Sequence, residues 1–321
     1  MKGNLKNLLV LFGRNPEKPK QISQEAQNIY LIHQNQKKDI SSLKEELEKI
    51  KKGLYPKKWR ARRWTVLIII NLLFTLSFWL DIQLFEGSLI ASRVLGFHMV
   101  DLYSALQIVL AYGDMSINLF IGSVTVLLIW ALLGGRAFCS WVCPYHLLAE
   151  WAEMVHLKLV GKKWVTDHPF HRGVRTVFFV VFALLALLTG HSLFNSMNPV
   201  GIVSRMCIYG LSVAGIWVIL ILLFEIFYSR RAWCRYVCPM GFTYGLTGVI
   251  SPFQITYHLS DCQHEGACLT VCEVSHVLEC VKKNRAEHSR IDIGVDCTLC
   301  GSCVDVCPTH SLRFEIKGLT Q

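Results

Sequence analysis

Asp296-Cys297-Thr298-Leu299-Cys300-Gly301-Ser302-Cys303-Val304-Asp305-Val306-Cys307-Pro308 lies near the carboxyl end of a 321-residue chain. Its spacing, C-x2-C-x2-C-x3-C-P, is that of a bacterial ferredoxin iron–sulfur run. Three thiolates this close together can reach three irons of one cube, and the proline turns the chain away after the fourth. A structural zinc site is the plain alternative. Zinc knuckles use two separated C-x2-C pairs, not three cysteines followed by C-P. The stretch therefore predicts one-electron chemistry on an iron–sulfur cluster.

In two-cluster ferredoxins the fourth cysteine of each run ligates the other cluster, so a second copy is expected. Cys262-Gln263-His264-Glu265-Gly266-Ala267-Cys268-Leu269-Thr270-Val271-Cys272 supplies it in altered form. Cys262, Cys268 and Cys272 match positions one, three and four. Glu265 stands at position two, and no proline follows Cys272. Crossed wiring gives one cluster Cys297, Cys300, Cys303 and Cys272. The other receives Cys262, Cys268, Cys307 and a fourth ligand that the motif lacks. Cys280 brings the cysteines from 262 onward to eight, the number two [4Fe-4S] cubes need. Alternatively Glu265 ligates, or the second cluster is [3Fe-4S], or Cys280 is a buried apolar thiol.

The chain is 52% apolar with a positive mean hydropathy, too apolar for an ordinary soluble domain. The excess falls into four segments, 64–85, 117–133, 174–193 and 211–228, each read as a membrane span of a ~30 Å hydrocarbon core. The first apolar run is long and begins after residue 63, which argues against a cleaved leader. Basic residues orient the spans. Lys57, Lys58, Arg60, Arg62 and Arg63 precede the first. Arg136, Lys158, Lys162, Lys163, Arg172 and Arg175 fall between the second and third. Arg230, Arg231 and Arg235 follow the fourth. Both termini are thus expected in the cytoplasm. The same asymmetry accounts for the net charge of +10, and no aromatic-basic nucleic-acid motif accompanies it.

Gly135-Arg136-Ala137-Phe138-Cys139-Ser140-Trp141-Val142-Cys143-Pro144 recurs 95 residues later as Arg230-Arg231-Ala232-Trp233-Cys234-Arg235-Tyr236-Val237-Cys238-Pro239. Each copy follows an even-numbered span, so the membrane part reads as a duplicated two-helix unit. A weaker echo links Met99–Leu106 with Asn198–Arg205. Cysteines at i and i+4 share a helix face, so Cys139, Cys143, Cys234 and Cys238 form a candidate set of four thiolates, for metal or thiol redox chemistry. Reduced thiols that only pack are the bland reading. Cys207 is alone in an outer loop and reads as a small apolar residue.

The predicted fold is an all-α membrane bundle of four transmembrane helices carrying a C-terminal α+β, two-cluster ferredoxin-like module. Residues 1–63 form a cytoplasmic extension, 64–250 the membrane domain and 251–321 the cytoplasmic iron–sulfur domain. In the extension Ile40, Leu43, Leu47, Ile50 and Leu54 follow a 3-4 spacing, predicting an amphipathic helix that pairs as a coiled coil or lies on the membrane surface.

Four spans, two C-x3-C-P repeats and a terminal two-cluster module, in that order over residues 60–315, resemble the NapH family. The resemblance implies a membrane component of a quinol dehydrogenase. Electrons would pass from quinol, with a periplasmic NapG-type iron–sulfur protein or c-type cytochrome, towards periplasmic nitrate reductase. NosH-like relatives accompany nitrous oxide reductase. CcoG-like proteins, read as cupric reductases or metallocentre assembly factors, and NosR-like regulators share the C-x3-C-P core. CcoG relatives usually carry a further C-terminal β domain, whereas this chain ends fourteen residues after Cys307. Glu265, the missing proline after Cys272 and the long amino-terminal extension depart from the NapH pattern.

A quinol site needs a slot open to the bilayer and a proton acceptor. Ionisable groups at the membrane edge are the default candidates: His98, Asp101, His191 and Arg205 on the outer side, with Gln107 as hydrogen-bonding neighbour, and Glu225 near the inner end of the fourth span. The mundane readings are headgroup contact for His98 and His191, an Arg205–Asp101 pair, and a Glu225 pair with Arg230 or Arg231.

Overall fold

The computed structural model describes residues 8–317 apart from 15, 17, 20, 36–44, 46, 47, 50–54, 56, 81–84 and 95. The heptad-like residues Ile40, Leu43, Leu47, Ile50 and Leu54 lie outside the described residues. In chain order the amino-terminal half comprises α1 (Gln24–Asn35), α2 (Lys58–Trp79), β1 (Phe85–Ser88), β2 (Ala91–Val94), β3 (Phe97–Val100), α3 (Leu102–Tyr112), α4 (Ile117–Leu133), α5 (Ala137–Trp141) and α6 (Pro144–Gly161). Then follow α7 (Val174–Thr189), α8 (Leu193–Met197), α9 (Pro199–Tyr209), α10 (Ala214–Phe227) and α11 (Met240–Thr247). The terminal module holds β4 (Phe253–His258), α12 (Ala267–Val271), β5 (Arg290–Asp292), α13 (Ser302–Asp305) and β6 (Leu312–Ile316).

All four apolar segments are helical, but they differ in length. Helix α2 has 22 residues and is long and apolar enough to cross a membrane. Helices α4, α7 and α10 have 17, 16 and 14, short of the usual ~20-residue span. The first segment is displaced from 64–85 to Lys58–Trp79, and Phe85 already belongs to a strand. The third stops at Thr189 because Gly190 takes a left-handed φ of 65° and closes the helix. The apolar helices leave large side chains uncovered: Ile69 and Leu72 on α2, Leu128 on α4, Leu184 on α7, Ile219 and Leu220 on α10. Contiguous exposed apolar faces of this kind mark a surface that meets something other than water.

Between these helices lie elements the hydropathy reading took for outer loops. Strands β1, β2 and β3 form an antiparallel meander. β3 lies against α4 at Gly122, where a Cβ would come within 2.8 Å of the His98 carbonyl oxygen. Helices α3 and α9 are short and buried at their amino ends. Asp101 caps α3, its carboxylate accepting from Tyr103 N and Ser104 N. Asn198 caps α9, accepting from Val200 N, with Pro199 in the first turn. The two caps are structural counterparts, so the echo between the halves aligns Asp101 with Asn198, two positions away from the register read in the sequence.

The terminal module is a three-stranded antiparallel sheet of order β5-β4-β6 over a core that includes Ile255, Tyr257, Leu278 and Leu312. Helix α1 packs on it: Ala286 N donates to the Tyr30 hydroxyl at 3.0 Å, and His33 Nε2 to Ser260 O at 3.2 Å.

Two buried ion clusters join this module to the apolar helices. In the first, Arg63 donates to Glu273 Oε1 at 2.8 Å and to Glu150 Oε2 at 2.6 Å. Arg231 reaches Glu273 at 3.2 Å and also pairs with Glu153. In the second, Asp296 is held by Arg136 at 2.5 Å, Arg175 at 2.9 Å and His276 at 2.8 Å. Arg63, Arg136, Arg175 and Arg231 are all buried. These four arginines, assigned from the sequence to the cytoplasmic side of the spans, are therefore counter-ions of the module's carboxylates and do not face lipid headgroups. The module also completes α2. Lys57 offers no side-chain cap, and Asp305 accepts instead from Trp59 N at 3.0 Å and Arg60 N at 3.2 Å.

Removing one member of a buried ion cluster leaves its partners charged and unpaired, at a cost of about 3–5 kcal/mol. Arg63→Ala is expected to lower the thermal unfolding midpoint in detergent and to speed proteolytic release of the module. Glu153 gives a pH test. Burial alone would raise its carboxyl, but Arg231 and Arg230 hold it below the usual glutamate range. A carboxyl held low stabilises above its ordinary pKa, and that stabilisation is lost as pH falls through the folded value. Wild type and Glu153→Gln should differ in unfolding temperature at neutral pH, the difference shrinking only as pH falls below the ordinary glutamate range and through the lowered folded value.

Candidate iron–sulfur centres

The two cysteine loops of the module share one backbone design. In Cys297-Thr298-Leu299-Cys300-Gly301, Leu299 and Gly301 take left-handed φ values of 52° and 75°. In Cys262-Gln263-His264-Glu265-Gly266, His264 and Gly266 take 57° and 78°. Leu299 N donates to Cys297 Sγ at 3.4 Å and His264 N to Cys262 Sγ at 3.3 Å. Left-handed turns aim successive amides and thiols inward, at the cost of strain for a leucine or a histidine. The altered copy keeps that geometry while placing Glu265 at the position of Cys300.

Cys272, Cys297, Cys300 and Cys303 line one cavity, closed by Val274, Leu278 and Thr298. This is the inner set, and it is the combination that crossed wiring calls for. The outer set is Cys262, Cys268, Cys280 and Cys307. Burial pushes Cys280 up to about 12, and the charges of Cys268 and Cys262 add to the shift. Cys268 is likewise pushed up to about 12 by burial, then by Cys262 and Cys307. Cys280 sits on the 3-10 turn Ser275–Val281, close enough to Cys262 and Cys268 for their charges to act on it.

The two C-x3-C-P repeats bring the third set together. Cys139, Cys143, Cys234 and Cys238 line one cavity, with the buried cations Arg136 and Arg231 beside them. The i, i+4 argument misses how this is done. Helix α5 ends at Trp141, and Cys143 is extended at φ −66°, ψ 115°. Cys238 repeats this at φ −67°, ψ 111°, after a π-helical turn, Trp233–Val237. The proline that follows each cysteine excludes the helical conformation, so each pair breaks across a helix end. Gly134 and Gly135, with φ of 117° and 57°, turn the chain from α4 into the first motif. A Cβ at Gly135 would lie 2.5 Å from the Tyr244 carbonyl oxygen.

These surroundings suit a cluster bound through thiolates. Burial opposes each thiolate, pushing Cys238 and Cys297 up to about 12, so four adjacent thiols ionise together only around a cationic group. At Cys139 burial likewise raises the thiol, and the Arg136 guanidinium offsets part of that rise. His146, Glu150 and Glu273 also approach within 4.8 Å, as metal ligands would. Arg63 and Arg231 already occupy those carboxylates, so this group is an ion cluster.

The quinol candidates are dispersed, and none of them lines the two cavities described above. Asp101 and Gln107 are buried on α3, where Gln107 donates to Phe182 O at 3.0 Å. His98 and His191 are exposed. The Arg205–Asp101 pair is not formed: Asp101 caps α3, and Arg205 Nε donates to Gly201 O at 3.2 Å. Glu225 pairs with neither Arg230 nor Arg231. It accepts from Trp233 N at 3.0 Å, while both arginines turn to Glu153. Sequence reasoning passed over Glu273, Val274, Thr298, Ser140 and Arg235, which pack between the thiol sets. A glutamate directly after a ligand-type cysteine was the available signal.

Comparison with known proteins agrees with this arrangement. A 4Fe-4S binding domain family matches residues 116–164 and 210–255, the two C-x3-C-P units, and another matches 296–313. The ferredoxin-type protein NapH of Escherichia coli K12 is 31% identical over 285 residues, covering 85% of this chain and 93% of its own. The chain belongs to the NapH family. NapH of Haemophilus influenzae is 29% identical over 198 residues, 61% of this chain and 68% of its own. The methylamine utilization ferredoxin-type protein MauN of Paracoccus denitrificans is 32% identical over 214 residues, 66% and 74%. No solved structure matches. This family member is a ferredoxin-type electron-transfer protein with 4Fe-4S binding domains.

Among its cysteines, Cys207 on α9 is the exposed one. Under anaerobic, non-denaturing conditions a maleimide should label Cys207 first, and Cys207→Ser should remove most of the fast-reacting thiol detected by mass spectrometry.

Proposed function

We propose that this NapH-family protein is a multi-pass membrane electron-transfer subunit. It oxidises quinol and delivers electrons towards a periplasmic reductase system, of the nitrate or nitrous oxide type, through a NapG-type iron–sulfur protein or a c-type cytochrome. The observation that carries the reading is the convergence of the four C-x3-C-P thiols, drawn from both repeats, on one cavity beneath the ferredoxin-like module. The inner and outer sets would each hold a [4Fe-4S] cluster, with Cys280 as the fourth outer ligand, and the membrane set would hold a further one. Clusters at these sites supply one-electron carriers of tunable potential. Arg136 and Arg231 offset the negative charge of ligated thiolates, and the apolar walls exclude water.

The exposed apolar faces of α2, α4, α7 and α10 support a bilayer setting, with both termini cytoplasmic. Short buried helices such as α3 and α9 are tolerated at membrane depth where surrounding protein satisfies their ends, as Asp101 and Asn198 do here. The quinol reading rests on Asp101 and Gln107 within the bundle and on His98, His191 and Arg205 towards the outer surface.

The test is EPR on anaerobically purified protein, before and after a menaquinol analogue, with a dithionite endpoint. Quinol should produce reduced-cluster signals that a quinone-site inhibitor blocks. Asp101→Asn should weaken that response and leave the dithionite endpoint intact. If dithionite reduces the clusters and quinol changes nothing, quinol is not the donor, and copper reduction by the C-x3-C-P thiols, the CcoG-like alternative, becomes the reading to assay. Cys280→Ser should cost iron or convert the outer site to a three-iron signal, whereas Glu265→Gln should leave iron content unchanged.

A further inference from the structure

Val274 and Thr298 line both the membrane thiol cavity and the inner ferredoxin cavity. The wall between the two sets is therefore one residue thick at these points. Hydrogen bonds cross it. Ser140 Oγ donates to Thr298 O at 2.6 Å, and Trp141 Nε1 donates to Leu299 O at 3.0 Å. Ser140 and Trp141 lie between Cys139 and Cys143, while Thr298 and Leu299 lie between Cys297 and Cys300. From the other repeat, Arg235 Nε donates to Glu273 O at 2.9 Å, next to Cys272.

Ser140 and Arg235 occupy the same repeat position, directly after the first cysteine of each motif. Two equivalent repeats meet the module at non-equivalent points. One repeat meets the loop of Cys297 and Cys300, and the other meets the carbonyl beside Cys272. A short hydroxyl serves the first and a long guanidinium the second. Divergence at this position is what such a junction requires. The outer set has no residue in this wall.

We propose that Ser140 and Arg235 are positioning residues for electron exchange between the membrane thiol set and the inner ferredoxin set, which makes the inner set the direct partner of the membrane set and the outer set the cytoplasmic end of the line. This rests on the reading that all three sets hold clusters. The exchange balances as one electron: the donor set is oxidised by one, the acceptor set is reduced by one, and no bond or proton changes hands. Ser140 fixes the separation and supplies a hydrogen-bonded path. Arg235 adds a positive charge beside the inner set, and nearby charge is one lever on cluster potential.

The experiment uses full-length protein in detergent, wild type and the variants Ser140→Ala, Ser140→Thr, Arg235→Gln, Arg235→Lys and Cys139→Ser/Cys234→Ser. Iron and sulfide are counted first. The double cysteine variant should lose one cluster's worth of iron and the spin-coupling broadening that the membrane set imposes on the inner set, while the other variants keep full iron. A reduced viologen, entering at the cytoplasmic module, should reduce the membrane set several-fold more slowly in Ser140→Ala by rapid-freeze EPR. Ser140→Thr should restore the rate. Arg235→Gln should lower the inner midpoint potential, and Arg235→Lys should keep it near wild type.

If wild type holds only the iron of the two module clusters, the assignment of the membrane set fails and this inference falls with it, before any rate is measured. With full iron, a wild-type rate in Ser140→Ala, an unrestored rate in Ser140→Thr or an unmoved potential in Arg235→Gln overturns the corresponding role.

Discussion

Two carboxylates, Glu273 and Asp296, decide how this protein is put together. Each stands directly beside an inner-set cysteine, Cys272 or Cys297, and each is buried. A buried carboxylate is tolerable only when paired and hydrogen-bonded. The partners come from elsewhere: Arg63, Arg231 and His146 for Glu273, and Arg136 and Arg175 for Asp296. The charges therefore specify one docking pose. They pull Glu273 and Asp296 below the usual carboxylate range despite burial, and they set the inner thiols against the C-x3-C-P thiols. Separation of the module would strand several arginines and both carboxylates at once, so module and helices behave as one electrostatic unit.

The pairing explains an asymmetry inside the duplication. Both repeats contribute an arginine two positions before the aromatic of the motif, Arg136 and Arg231. Arg136 goes to Asp296 and Arg231 to Glu273 and Glu153. Both also contribute an extended Cys-Pro, at nearly the same backbone angles. What they share builds the thiol cavity. What differs, an α-turn against a π-turn and a serine against an arginine, is where each repeat meets the unpaired module. A π-turn inside a helical segment commonly marks a functional adjustment of this kind.

The cysteine spacings were the most legible part of the sequence, because a cluster constrains ligand order directly. The crossed grouping of Cys272 with Cys297, Cys300 and Cys303 followed from spacing, and the structure places these four thiols together. Hydropathy found four apolar helices but misjudged their ends, since Gly190 and the strand beginning at Phe85 act through backbone geometry that a sliding window does not see. It also missed α3 and α9, whose short apolar runs carry polar caps and read as loops. The arginines have a second role that the sequence does not show. Positive charge near a span end reads alike whether it faces lipid headgroups or a buried carboxylate, and only the distant residues Glu273 and Asp296 distinguish the two. The meeting of Ser140 with Thr298 across 158 positions leaves no local trace at all.

The C-x3-C-P cavity also meets the short helices of the apolar bundle. Val200, in the first turn of α9, lines the membrane thiol cavity, and Asn198 donates to Met240 Sδ in its wall at 3.3 Å. Helix α9 runs from that cavity through eleven residues to Tyr209, and α3 is its counterpart in the other repeat. The C-x3-C-P cavity is thus lined by Val274 and Thr298 of the module on one side and by the buried amino end of the 11-residue helix α9 on the other. The duplication then has a mechanical meaning: each repeat supplies one short helix, one cysteine pair and one arginine, and only the two together enclose a site at the junction of apolar bundle and ferredoxin-like module.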